Sequence, residues 1–162
     1  MQRFKFSILT LSIFCLSFSA CKKDINYHTE WNKPLPETES LSGKINEIQF
    51  ESTLITAQLY TTTPNLTMQI MGMKNASGFS LMLNNYHGAG DYAIEKDEAI
   101  CSFIDVPTDP YNAAYMGESG TVKVISVTDK NIKGTFQFIG TSFGGSSKTI
   151  TEGKFSVNYM KF

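Results

Sequence analysis

From Leu41 onward the chain alternates apolar and polar residues with a period of two. Leu66, Met68 and Ile70 share one face, as do Phe79, Leu81 and Leu83, and as do Phe155, Val157 and Tyr159. Alternation of this kind, in short runs rich in β-branched and aromatic residues, predicts strands. They are expected at 44–51, 54–61, 66–74, 78–84, 99–106, 120–128, 132–141 and 148–159. The breaks between them carry turn chemistry: Thr63-Pro64-Asn65, Asn75 to Gly78, His87 to Asp91, Pro107 to Pro110, Asp129 to Asn131, and Gly144 to Ser147. About eight strands at this spacing predict an all-β domain over 41–162, an antiparallel β-sandwich or small β-barrel.

One pair of strands carries its own register argument. Gly120-Thr-Val-Lys-Val-Ile125 and Gly134-Thr-Phe-Gln-Phe-Ile139 repeat one pattern fourteen residues apart. Burying Val122, Val124, Phe136 and Phe138 together requires opposed positions to sum to an even number. A three-residue loop at Asp129-Lys130-Asn131, with Asn131 left-handed, would pair Val124 with Phe136 and Val122 with Phe138.

The N-terminal pattern is different. Met1 to Lys5 is cationic, and Phe6 to Phe18 is an uncharged apolar run. Such a run is shorter than the roughly 20 residues of a bilayer-spanning helix. It reads as a secretory signal over 1–20. Phe18-Ser19-Ala20-Cys21 resembles the lipobox of bacterial lipoproteins, with Phe18 in place of the usual Leu. The resemblance implies cleavage before Cys21 and lipid on its sulfur. More than one acyl chain is what makes such an anchor stable. The segment 21–40, polar and containing Pro34, Pro36 and the lone Trp31, reads as a tether. Its end-to-end distance is on the order of 25 Å. The sequence Lys22-Lys23-Asp24 lacks an Asp directly after Cys21. By analogy with enteric bacterial lipoproteins, this points to the outer membrane, on the periplasmic face or the cell surface.

Charge and cysteine content narrow the chemistry. Without residues 1–20, which hold Arg3 and Lys5, the chain keeps 12 basic and 15 acidic residues. Scattered lysines on a weakly acidic chain argue against nucleic acid as a partner. Only Cys101 remains for the domain, so it can form no internal disulfide. No Cys-x-x-Cys metal motif is present. Cys101 lies in an apolar run, the setting of an inert buried thiol.

A second resemblance covers roughly 41–160. Ile132-Lys-Gly-Thr-Phe-Gln-Phe138, Ile150-Thr-Glu-Gly-Lys-Phe155 and Gly90-Asp-Tyr92 followed by Ile94 look like elements of small β-rich lipoproteins from Bacteroidota-type bacteria. The likeness implies a fold and an address. It implies no activity.

No nucleophile elbow, His-Glu-x-x-His or phosphate loop occurs. No cofactor, metal site or catalytic residue is therefore expected. Glu95 to Glu98 reads as a solvated loop, because the alternating acidic pattern of a Ca²⁺ loop is missing. Strands commit one face to the core, so ligand chemistry falls to loops. Tyr86, His87 and Asp91 on one loop, with Tyr111 and Tyr115 on another, would offer π faces and directional hydrogen bonds to a glycan or peptide. The reading is a lipid-anchored, non-catalytic binding or accessory protein. The alternatives are a small-ligand carrier with a cavity inside the barrel and an enzyme with polar groups converging near His87.

Overall fold

The computed structural model describes residues 38–62, 65–106 and 113–162. Among them the chain is nearly all β, with eleven strands and one 3-10 turn at Ile94–Lys96. The strands are β1 (Ser40–Ile45), β2 (Ile48–Glu51), β3 (Leu54–Thr62), β4 (Asn65–Lys74), β5 (Ser77–Leu83) and β6 (Gly90–Ala93). They continue with β7 (Ala99–Ile104), β8 (Ala114–Val127), β9 (Asn131–Ser142), β10 (Ser147–Asn158) and β11 (Met160–Lys161). They form one sheet in the order β11-β3-β4-β5-β7-β8-β9-β10-β1-β2, with β6 alongside β8. Every pairing is antiparallel except the short one between β11 and β3.

The sheet curls into a half-barrel rather than dividing into two layers. Phe79 on β5 meets Phe136 on β9 across the interior, with ring centroids 5.1 Å apart. Phe50 on β2 reaches in to touch Phe79 and Phe103 edge-on, at 5.3 and 5.6 Å. Alternate residues of each strand fill the inside: Met68 and Ile70, Leu81 and Leu83, Val122 and Val124, Phe155 and Val157. These are the faces expected from the period of two.

Glycines set the curvature. Gly120 pairs with Phe138, Gly134 with Phe155, and Gly153 with Phe136. A Cβ on Gly134 would lie 2.4 Å from Phe155 Cζ, and one on Gly153 would lie 2.6 Å from Phe136 Cγ. Each inward phenylalanine thus lies across a strand position that has no side chain. Glycine kinks paired with aromatics are what a tightly curled sheet needs.

The count of about eight strands is corrected to eleven. The stretch 44–51 is two strands, because Asn46 and Glu47 both adopt positive φ (47° and 68°) and close a two-residue hairpin. Gly90 and Asp91, expected to end a turn, instead open β6, and Gly90–Ala93 pairs with Val124 to Thr121 of β8. The hairpin of β8 and β9 is also shifted from its expected register. Val122 faces Phe136 and Val124 faces Gly134. The loop spans four residues, closed by Thr128 N–H donating to Asn131 O at 2.8 Å. Thr128 Oγ1 accepts from Asn131 N–H at 3.0 Å, so Asn131 needs no left-handed backbone. A bulge between Val124 and Ser126 then restores the even sum that buries both faces.

Candidate functional site

Strand register sorts the loops to two ends. Ser40, where the described domain begins, pairs with Ser156, while Ile45 at the other end of β1 pairs with Ile150. The Ser40 end, here the proximal end, also holds the β8–β9 turn and residues 84–89 after β5. The distal end collects the β1–β2 turn, the β4–β5 turn at Asn75-Ala76, the hydrogen-bonded residues Asp105 and Ala113, and the β9–β10 turn. Strand β1 has six residues, so Ser40 and Ile45 are about 17 Å apart.

At the proximal end the expected site residues are occupied by their own loop. The Tyr92 ring is fully buried, and its hydroxyl accepts from His87 N–H at 3.1 Å and donates to Gly88 O at 2.8 Å. The His87 ring lies tilted on Tyr92 with centroids 4.9 Å apart, and its Nδ1 is 3.1 Å from Asn85 O. Tyr86 stacks on Tyr92 at 6.0 Å. Its hydroxyl is buried without a hydrogen-bond partner among the described residues, and burial pushes its pKa up to about 12. Asp91 faces Lys123 at 3.8 Å on the outer surface. These contacts hold residues 85–92 against the core. The polar groups of this loop point in separate directions.

Tyr115 lies at the distal end, where it pairs with Phe103 of β7 and Ser142 of β9. Tyr86 and Tyr115 therefore belong to opposite ends, and the two loops do not form one site. Tyr111 and Cys21 lie outside the described residues.

Next to Tyr115, on the other side of Lys148, is a pocket of about 250 Å³. Phe50 and Phe103 form its floor, and Ile45 and Ile48 its apolar side. Lys148, Asp105 and Ser77 make its polar corner. Lys148 Nζ sits 2.9 Å from Asp105 Oδ2, and Ser77 Oγ donates to Asp105 Oδ1 at 3.4 Å. The Lys148 ammonium also lies 4.9 Å from the Tyr115 ring centroid and 6.0 Å from that of Phe103. A carboxylate and two π faces thus hold the cation at the pocket wall. An apolar floor with a few convergent polar groups is the ordinary form of a small-molecule site.

Two larger troughs, about 430 and 420 Å³, run along the outer face of β8, β9 and β10. Asp91, Lys123, Glu152 and Lys154 border the first, and Glu95, Thr149 and Thr151 the second. Both lie where bulges bend the sheet, and the one phenylalanine in the lining of each, Phe136 and Phe138, has its side chain buried in the core. Volume favours them. Lining chemistry favours the distal pocket, and it decides.

Cys101 on β7 is buried in the core, and burial pushes its thiol up to about 12, far from a thiolate at neutral pH. Among the described residues no three His, Cys, Asp or Glu side chains converge on a metal position. Phe50, Phe103, Asp105 and Lys148 were not anticipated as site residues. They come from three separate stretches, and only the β1–β2 hairpin and the curl of the sheet bring them together.

Residues 37–157 match the family described as a domain of unknown function (DUF6252), and the chain belongs to that family. No curated protein and no solved structure matches the chain.

Proposed function

We propose that this protein is a lipid-anchored envelope lipoprotein whose β domain is a non-catalytic binding module, with the distal pocket as its recognition site. The signal-like run and Cys21 support the anchor. The observation that carries the binding role is the separation of ends. The chain enters β1 at Ser40, while Ile45 at the other end of that six-residue strand, about 17 Å on, lines the pocket of Phe50, Phe103, Asp105 and Lys148. The pocket's size and chemistry suit one sugar ring or one peptide side chain, with Lys148 and Asp105 supplying a donor and an acceptor. The outer membrane is the proposed address, from the residues after Cys21.

Two measurements test this. Cys21→Ser should move the protein from the membrane fraction to the soluble one, and retention after a salt wash would refute the lipid anchor. Chemical-shift titration of the chain against glycan and peptide libraries should shift Phe103, Tyr115 and Lys148. Shifts confined to Tyr86, His87 and Asp91 would return the site to the proximal loop.

A further inference from the structure

We propose that the distal pocket of one molecule receives Phe143 of a second copy, reciprocally, in a two-fold dimer joined at the distal ends.

The knob is Phe143, at the tip of the β9–β10 hairpin, 99% exposed. An aromatic side chain in open water on a flexible loop would be unremarkable. This turn is instead well tied. Ser142 N–H donates to Ser146 O at 2.8 Å, Gly145 N–H donates to Ser142 O at 2.9 Å, and Ser146 N–H donates to the buried Ser142 hydroxyl at 3.2 Å. The ring is held outward by a turn that fixes its base, so little order remains to be gained on docking.

The hole is the pocket floored by Phe50 and Phe103, with Ile48 on its side at 74% exposure. The edge-on cluster of Phe50, Phe79 and Phe103 beneath it suits a further ring. Knob and hole lie at the same end of the molecule. A contact from one patch to a different, distant patch would propagate into an open chain of molecules. A contact between two features of one end can close on itself about a two-fold axis, each Phe143 entering the partner's pocket. Two inserted rings bury roughly 300–500 Å². A comparable area from the matching pocket walls keeps the total below about 1,200 Å², the size of a weak, transient contact and not of a stable dimer.

The test uses the full chain in intact cells that express two differently tagged copies. One copy carries Gly144→Cys beside an intact Phe143, and the other carries Gln49→Cys at the pocket. A short bis-maleimide reagent should join the two tags, with the parent pair setting the background from Cys15 and Cys21. Cys101 is buried and stays silent. The yield should exceed by about tenfold that of a control pair in which Lys130→Cys at the proximal end replaces Gly144→Cys. Adding Phe143→Ser to the first copy, or Ile48→Asp to the second, should each return the yield to background. Both residues are exposed, so neither change empties the core. A yield no higher than the control pair, a yield indifferent to both substitutions, or a Phe143-dependent adduct with a different protein would each overturn the pairing.

This assignment rests on the distal pocket being the recognition site, and the two fail separately. Ligand-dependent shifts at Phe103 without a crosslink overturn the second copy alone. A Phe143-dependent crosslink without any ligand shift leaves the pocket as an interface and overturns the small-ligand reading.

Discussion

Tyr86 and Tyr92 stack on each other, yet removing their hydroxyls should have opposite effects. The Tyr92 hydroxyl joins His87 N–H and Gly88 O at 3.1 and 2.8 Å from a fully buried ring. Tyr92→Phe keeps the ring and deletes both bonds. A hydrogen bond contributes about 0.5–1.5 kcal/mol net, and the two lost together should cost about 1–3 kcal/mol. The Tyr86 hydroxyl is buried with no partner. Burying such a group costs about 1–3 kcal/mol in protein mutational data. Tyr86→Phe should therefore leave stability unchanged or raise it by about 1 kcal/mol. Urea melts of the β domain from residue 37, followed by far-ultraviolet circular dichroism, give both numbers. The variants share a stacked pair, so ring packing cancels in the comparison. If Tyr86→Phe proved as costly as Tyr92→Phe, the Tyr86 hydroxyl would have a partner and the account of this loop would be wrong.

Phe136→Ala should cost about 3–5 kcal/mol, because Phe136 is 3% exposed and packs on Phe79. Gln137→Ala on the outer face should cost under about 0.5 kcal/mol, and equal losses in a denaturant melt would invert the face assignment. Gly153→Ala should destabilise by about 1–3 kcal/mol, since its Cβ would fall 2.6 Å from the Phe136 ring. A neutral result in thermal unfolding would mean that the sheet does not need that close approach. Stability should also fall at alkaline pH. Burial raises Cys101 from 9.0 and Tyr86 from 10.0, both to about 12, so between about pH 9 and 12 the folded state holds protons that the unfolded chain releases. The contribution is full below pH 9 and is lost as pH rises through 12. Cys101→Ala combined with Tyr86→Phe should flatten that decline in a pH series of melts.

Much of the fold is legible because a half-buried strand writes its geometry into every second residue. Leu66, Met68 and Ile70 of β4 and Phe155 and Val157 of β10 point inward as their alternation requires. What escapes is local backbone conformation with no compositional mark. Asn46-Glu47 turns the chain without a glycine, and Glu rarely adopts the positive φ it has here. The bulge at Ile125 is likewise silent, yet it decides which residues of β8 and β9 face each other. Parity could be deduced from the need to bury both faces. Absolute register could not, because a loop one residue longer plus a bulge satisfies the same parity. The site was harder still. Tyr86, His87 and Tyr115 are conspicuous as loop aromatics, but loop composition does not say which end of a sheet a loop reaches.

The curl explains why the two ends came to differ. Phenylalanines at 136, 138 and 155 each face a side chain on one neighbouring strand and a glycine on the other, and the sheet bends at those glycines. Bending draws β1 and β2 over the interior until Phe50 meets Phe79 and Phe103. At the proximal end the loop from β5 folds down and Tyr92 ties it in place, so His87 and Tyr86 serve the fold. At the distal end the hairpin that supplies Phe50 is a bare two-residue turn, too short to cover the rings it brings in. Ile45, Ile48 and the Lys148–Asp105 pair surround that opening and leave it accessible. Binding falls to the distal end for this reason: it is where the packing that closes the core stops short.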